Sequence, residues 1–409
     1  MSIWLLPRLD LTPEQLRIVE MSPYEHRVIL GPPGSGKTQI LIHRADYLSS
    51  TYKLKPDQYR VFVFTNVVKE YIKSGIQFLG LPEEVISTFD HWCRLLYEEH
   101  ISRRLPRIDR WIDFDKIRSS VLDLLRKKTK LQKQLTFVLV DEGQDLAPQV
   151  YEILSLAAQH ITVFADPQQK IFEKGASESF ILEKLNLKNR NASLLGAYRN
   201  APYVARLASY FIDDNQKRSQ YLAQMNTEQK VRELPLCYVA PDFDKEIDRL
   251  AEIISQRQVM NERIGVIVPT NKQLHGFAKG LEERGTTVEK AIPRKNADGF
   301  DFGNAIPKIA TYFSAKGLTF DSVLLPRLTE SSFSWIDDST RTRLLFVGIA
   351  RATQWVYLST IKEKELSEMG YLHEAEKKGH LILQRTYDFN QKSSEMPQSQ
   401  DSEDEFSLL

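Results

Sequence analysis

The chain has only two cysteines in 409 residues, Cys93 and Cys237. They lie far apart and form no metal-ligand spacing, which suits a reduced, cytoplasmic setting with thiols as small apolar fillers. Neither sign of charge is in surplus, since 55 Lys and Arg stand against 54 Asp and Glu. Any contact with a polyanion must therefore come from local patches. No apolar run approaches the ~18 residues of a membrane span. The opening residues, Met1-Ser-Ile-Trp-Leu-Leu-Pro7, put no basic stretch ahead of their short apolar run, so a secretory leader is not expected. A chain this long is expected to form two domains.

Against these absences stands one dense stretch, Gly31-Pro32-Pro33-Gly34-Ser35-Gly36-Lys37-Thr38. It fits the phosphate-cradling pattern G-x-x-x-x-G-K-[ST]. Arg27 to Leu30 before it reads as a buried strand, and Thr38 to Leu48 after it as a helix, with Gln39 in its first turn. The glycines let backbone N–H groups turn toward phosphate oxygens, and the helix start adds the positive end of its dipole. Lys37 is placed to reach the β- and γ-phosphates of ATP, and the Thr38 hydroxyl to ligate Mg²⁺.

A second stretch supplies carboxylates. Phe137 to Val140 is a continuous apolar strand that runs into Asp141-Glu142-Gly143-Gln144-Asp145. Carboxylates at the end of a buried strand sit where α/β sheets place their chemistry. Asp141 is expected to hold Mg²⁺ and Glu142 to activate the attacking water. The next strand, Ile161 to Ala165, ends likewise in polar groups, Asp166-Pro167-Gln168-Gln169.

Strands alternate with helices along most of the chain, which indicates parallel α/β sheets flanked by helices. Leu11-Thr-Pro-Glu-Gln15 begins a helix, with Thr12 as cap and Gln15 at the capping-box position; an amide there can also read a purine edge. Further strands are expected at Arg60–Phe64, Ile86–Phe89, Leu236–Val239, Ile264–Val268, Ser322–Pro326 and Trp355–Ser359. Residues 92–134 are helical in pattern and rich in Arg and Lys, with Trp92, Tyr97 and Trp111 interleaved. They read as a basic insertion able to track phosphates. Residues 289–305 read as a polar loop, and residues 391–409 as an acidic disordered tail.

In order, these pieces resemble the superfamily 1A DNA helicases of the UvrD/Rep type, over roughly Leu11 to Ser359. The resemblance implies two RecA-like P-loop NTPase domains, at 1–190 and 191–390. It implies that Gln15 reads adenine and that Phe64-Thr65-Asn66 and Thr88-Phe89 touch single-stranded DNA. It implies that Asp166 to Gln169 with Ile171-Phe172 form one motif, in which Gln169 senses the γ-phosphate, and that Phe172 touches DNA. Tyr198 is expected to pack on the base and Arg199 to contact phosphate. Gly317, within Thr311 to Asp321, belongs to a nucleotide-contacting motif, and Arg351 is an arginine finger. The implied activity is an ATP- and Mg²⁺-dependent 3′-to-5′ single-stranded DNA translocase or helicase, with a protein partner in a repair or phage-defence assembly. A nucleotide-dependent switch subunit without processive movement is the alternative. The chain departs from the pattern at Phe313 and Thr319, where the family has histidine and glutamate, and at Glu173-Lys174, where it has Trp-Arg.

Overall fold

The computed structural model describes residues 5–76, 79–166, 169, 175–189, 192–193, 200–223, 233–291, 302 and 304–385. Two parallel sheets organise it. The first takes β1 (Arg27–Leu30), β2 (Tyr59–Val63), β3 (Ile86–Thr88), β6 (Leu135–Val140), β7 (Ala158–Ala165) and β8 (Ala192–Ser193), in the order β3-β2-β6-β7-β1-β8. The second takes β9 (Leu236–Ala240), β10 (Ile264–Val268), β11 (Glu289–Lys290), β12 (Lys308–Thr311), β13 (Phe320–Leu325), β14 (Ala352–Ile361) and β15 (Ile382–Gln384), in the order β11-β12-β10-β13-β14-β9-β15. Because β8 pairs with β1, the first sheet runs slightly past the expected division at 190 and 191.

The central strands are apolar on both sides because helices cover both faces of each sheet. Val138 and Val140 pack into one cluster and Phe137 and Leu139 into another. The second cluster continues through Val67, Val68 and Tyr71 to Tyr312, Ala315 and Leu318, so the two sheets share one apolar core. Gly317 shows how close this junction is. Its φ is +84°, and a Cβ there would lie 2.9 Å from Val68 Cγ2.

The basic segment is not helical throughout. Between the helices Phe89–His100 and Phe114–Lys127 it forms an antiparallel hairpin, β4 (Arg107–Ile108) and β5 (Trp111–Ile112). Asp109, with φ +52°, supplies its left-handed turn. Within the polar 289–305 stretch, Glu289 and Lys290 pair with β12 as a short edge strand. Most of the remainder of that stretch and the 391–409 tail lie outside the described residues.

Candidate nucleotide site

Strand order explains why the site forms. In the first sheet β6, β7 and β1 are consecutive neighbours. Their carboxyl ends deliver Asp141 and Glu142, then Asp166 and Gln169, then the Gly31–Thr38 loop. Gly36 caps the Lys37–Thr51 helix with φ +85°, a conformation that favours glycine. A Cβ on it would lie 2.8 Å from Gln15 Nε2. Gln15 itself completes the capping box with Thr12, and its Nε2 donates to the Ser35 carbonyl at 3.1 Å. The helix start and the loop are thereby joined. Gln39 faces elsewhere, with Oε1 accepting from the Leu6 amide at 2.9 Å.

Lys37 Nζ donates to the carbonyls of Gly31 (2.7 Å) and Pro32 (3.0 Å) and lies 3.8 Å from Asp166 Oδ2. Thr38 Oγ1 donates to Asp141 Oδ2 at 3.1 Å. Burial, and then the neighbouring Glu142 charge, push the Asp141 carboxyl up to about 7. Glu142 moves the other way. Burial raises its pKa, but the facing charges of Lys316, Lys37 and Arg351 outweigh this and hold it below the usual carboxylate range. Gln144 Nε2 donates to Glu142 Oε2 at 2.6 Å and fixes that carboxylate. Glu142 has φ +50°, a strained setting for a side chain aimed into a cleft.

The second domain faces this edge with the amino ends of two adjacent strands. Lys316, Gly317 and Thr319 precede β13, and Arg351 precedes β14. Arg351 Nη2 donates to Gln169 Oε1, and Gln169 Nε2 donates to Asp166 Oδ2 at 2.7 Å. Lys316 Nζ bonds Asp145 Oδ2 and donates to the Gln169 carbonyl at 2.8 Å, with Glu142 Oε2 3.7 Å away. Asn200 Nδ2 donates to the carbonyls of Ala350 (3.1 Å) and Ala352 (2.6 Å), which flank Arg351. The cleft so formed is lined by Pro33, Gly34, Gly36, Lys37, Thr38, Tyr71, Glu142, Gln169, Gly317, Thr319 and Arg351.

The structure thus gathers most of the expected nucleotide residues in one place. Of the DNA candidates, Phe64, Thr65 and Asn66 leave the end of β2 and Thr88 ends β3, its neighbour. Thr65 and Thr88 both serve as helix caps, accepting from Val68 N and His91 N. Phe89 is buried, packed edge-on against Phe62 at 5.4 Å and beside Trp92, so its ring holds the core. Phe172, Tyr198 and Arg199 lie outside the described residues. Sequence reasoning did not single out Lys316, Asp145, Asp166 or Tyr71. For Lys316 the signal was present, a lysine next to the glycine of the quoted motif; for Tyr71 there was none.

Fold and site define a P-loop nucleotide-binding protein of two RecA-like α/β units. Residues 11–111 and 103–188 match the UvrD/REP helicase N-terminal domain. Residues 11–188 are thus similar to the UvrD/Rep-like helicases. The chain is 25% identical over 189 residues to the putative ATP-dependent DNA helicase YjcD of Bacillus subtilis, covering 43% of this chain and 24% of that one. It is 30% identical over 145 residues to the ATP-dependent DNA helicase srs2 of Schizosaccharomyces pombe, covering 33% and 16%. It is 23% identical over 313 residues to a probable DNA helicase of Mycoplasma pneumoniae, covering 70% and 56%. The chain therefore spans less than two thirds of the length of each of these relatives.

Proposed function

We propose that the protein hydrolyses ATP in this cleft and uses the cycle to move along single-stranded DNA, 3′ to 5′. The observation that carries the reading is the pair of second-domain cations, Lys316 and Arg351, set against the first-domain residues Glu142, Asp145 and Gln169. Phosphoryl transfer needs positive charge where negative charge develops on the γ-phosphate. Here that charge comes partly from the domain that must move.

Thr38 Oγ1 and the Asp141 carboxylate form the oxygen pair that a hard divalent cation requires. Among the described residues no group of three or more His, Cys, Asp or Glu could hold a metal ion. Water and phosphate oxygens would therefore complete the shell, as fits Mg²⁺ in a nucleotide complex. When bound, the ion neutralises charge on the β- and γ-oxygens.

Lys37 exchanges its two loop carbonyls for phosphate oxygens. Glu142, kept ionised and oriented by Gln144, accepts a proton from the attacking water. Gln169 links Asp166 in one domain to Arg351 in the other, so a change at the γ-phosphate alters a contact between domains. Gln15 positions the loop through Ser35, and its remaining amide N–H is the group for reading adenine. Thr65, Asn66 and Thr88, at the same sheet edge, are the proposed strand contacts; Tyr198 and Arg199 are proposed for base and phosphate. A cytoplasmic setting and a protein partner belong to the same proposal.

Displacement of streptavidin from biotin at one or the other end of an oligonucleotide tests the reading. ATP-dependent release at the 5′ end supports it. ATP hydrolysis without release at either end would favour a nucleotide-dependent switch.

A further inference from the structure

The β4–β5 hairpin is not used by the nucleotide site, yet it exposes side chains that a solvated turn does not need. Ile108 and Trp111 are cross-strand partners, and both are exposed, at 63% and 68%. Side chains of an opposed pair share one face. Arg107 and Ile112 take the other, where Ile112 packs against the first-domain core. The apolar residues on the outward face are therefore left unpartnered while the inward face anchors the hairpin. Asp113 adds to the anchor, its amide donating to the Pro106 carbonyl at 3.0 Å while its side chain caps the following helix.

Charge surrounds that face. Arg103, Arg104 and Arg110 are all exposed, and none has a carboxylate partner among the described residues. Arg110 places its guanidinium 5.4 Å from the centre of the Trp111 ring. Arg118, by contrast, is consumed by Asp90 and Asp115.

Position completes the argument. Asp90 begins the helix after β3 and pairs with Arg118; Gln149, at the start of the helix after β6, donates to Ser119 at 3.0 Å. Residues 118 and 119 are therefore level with the carboxyl edge of the first sheet. The hairpin ends at Ile112, six residues before Arg118, so it lies near that edge, which also carries Thr65, Asn66 and Thr88. The Phe89–His100 helix, 12 residues long, spans about 18 Å between Thr88 and the hairpin's base.

We infer that this hairpin is a second contact for single-stranded nucleic acid, with Trp111 stacking on an unpaired base and the arginines engaging the flanking phosphates. An exposed π-face beside unpaired cations matches a polyanion with exposed bases, and such stacking tolerates any sequence. A folded acidic partner would supply the charge but not the bases. The inference rests on the reading of the chain as a DNA-dependent motor and adds a site to it.

The test is binding of a fluorescein-labelled oligothymidylate to the full chain, followed by anisotropy across a salt series, with a blunt duplex in parallel. Trp111→Ala should weaken oligothymidylate binding roughly five- to hundredfold, while Trp111→Phe retains most of it. Arg104→Ala with Arg110→Ala should flatten the salt dependence by about 1.4 in slope, about 0.7 per charge. ATPase without DNA should be unchanged in all of them. If the wild type binds and Trp111→Ala binds equally, or loses only the duplex, the inference fails and the motor reading stands. If the wild type binds no nucleic acid, both fail.

Discussion

The ammonium of Lys316, fully buried in the second domain, donates to the backbone carbonyl of Gln169 in the first at 2.8 Å and faces Asp145 and Glu142. A buried cation between two carboxylates is costly to form and costlier to break. It also lowers the Glu142 pKa more than any other charge nearby.

Lys316→Met leaves Asp145 and Glu142 buried without this partner. It should cost about 3–5 kcal/mol in denaturant unfolding. With the cation gone the Glu142 pKa rises, so the acid limb of the kcat profile should move to higher pH. Adding Asp145→Asn should recover part of the stability, since the two residues share one interaction. Wild-type stability and an unmoved acid limb would remove Lys316 from the account.

Arg351→Ala removes the cation that reaches Gln169 from the second domain. An arginine finger contributes about 10³–10⁵ to kcat, and the loss should fall in that range with ATP affinity changed far less. Rapid-quench single turnovers separate the two. Equal losses in binding and chemistry would make Arg351 a positioning residue.

Gly317→Ala forces a left-handed backbone at φ +84° onto alanine and brings a Cβ within 2.9 Å of Val68. The backbone alone costs about 1–2 kcal/mol. We expect slower hydrolysis and a lower unfolding midpoint. Val68→Ala in the same chain should relieve the clash but not the backbone cost, so rescue should be partial. Full activity in the single variant would mean that the junction tolerates a side chain at position 317.

Within β7, His160 accepts from Arg44 Nη2 at 3.2 Å, and Thr162 Oγ1 lies 2.8 Å from the same ring nitrogen. Burial, and then the Arg44 charge, depress its pKa to about 3. The unfolded chain takes up this proton below about pH 6.5; the folded chain does not until about pH 3. Stability is therefore complete above about pH 6.5 and falls as pH drops, by up to about 1.4 kcal/mol per unit. His160→Gln should flatten that slope in urea unfolding relative to wild type. Parallel profiles would show that His160 ionises freely in the fold.

The nucleotide site was legible because its parts are local. Gly31 to Thr38 and Asp141-Glu142 each declare themselves within a few residues, and an apolar strand points to each. Strand boundaries such as Arg27–Leu30 and Ile264–Val268 followed from the same apolar runs. Lys316 could be read from its motif, but its partners Asp145 and Gln169, like the place of Tyr71, depend on how two domains meet, which no local pattern encodes. Phe89 shows the reverse limit: its motif position places it at the strand end, while packing against Phe62 and Trp92 decides where its ring goes. The hairpin escaped notice because two strands of two residues each are too short for a period to register in a charged segment.

Steady-state ATPase of the purified chain, with and without single-stranded DNA over a salt series, tests the central claim most directly. DNA should stimulate hydrolysis strongly, the stimulation should fade with salt, and Lys37→Ala and Glu142→Gln should lose turnover, with ATP still bound by the latter. Hydrolysis indifferent to DNA, or wild-type turnover in Lys37→Ala, would contradict that claim.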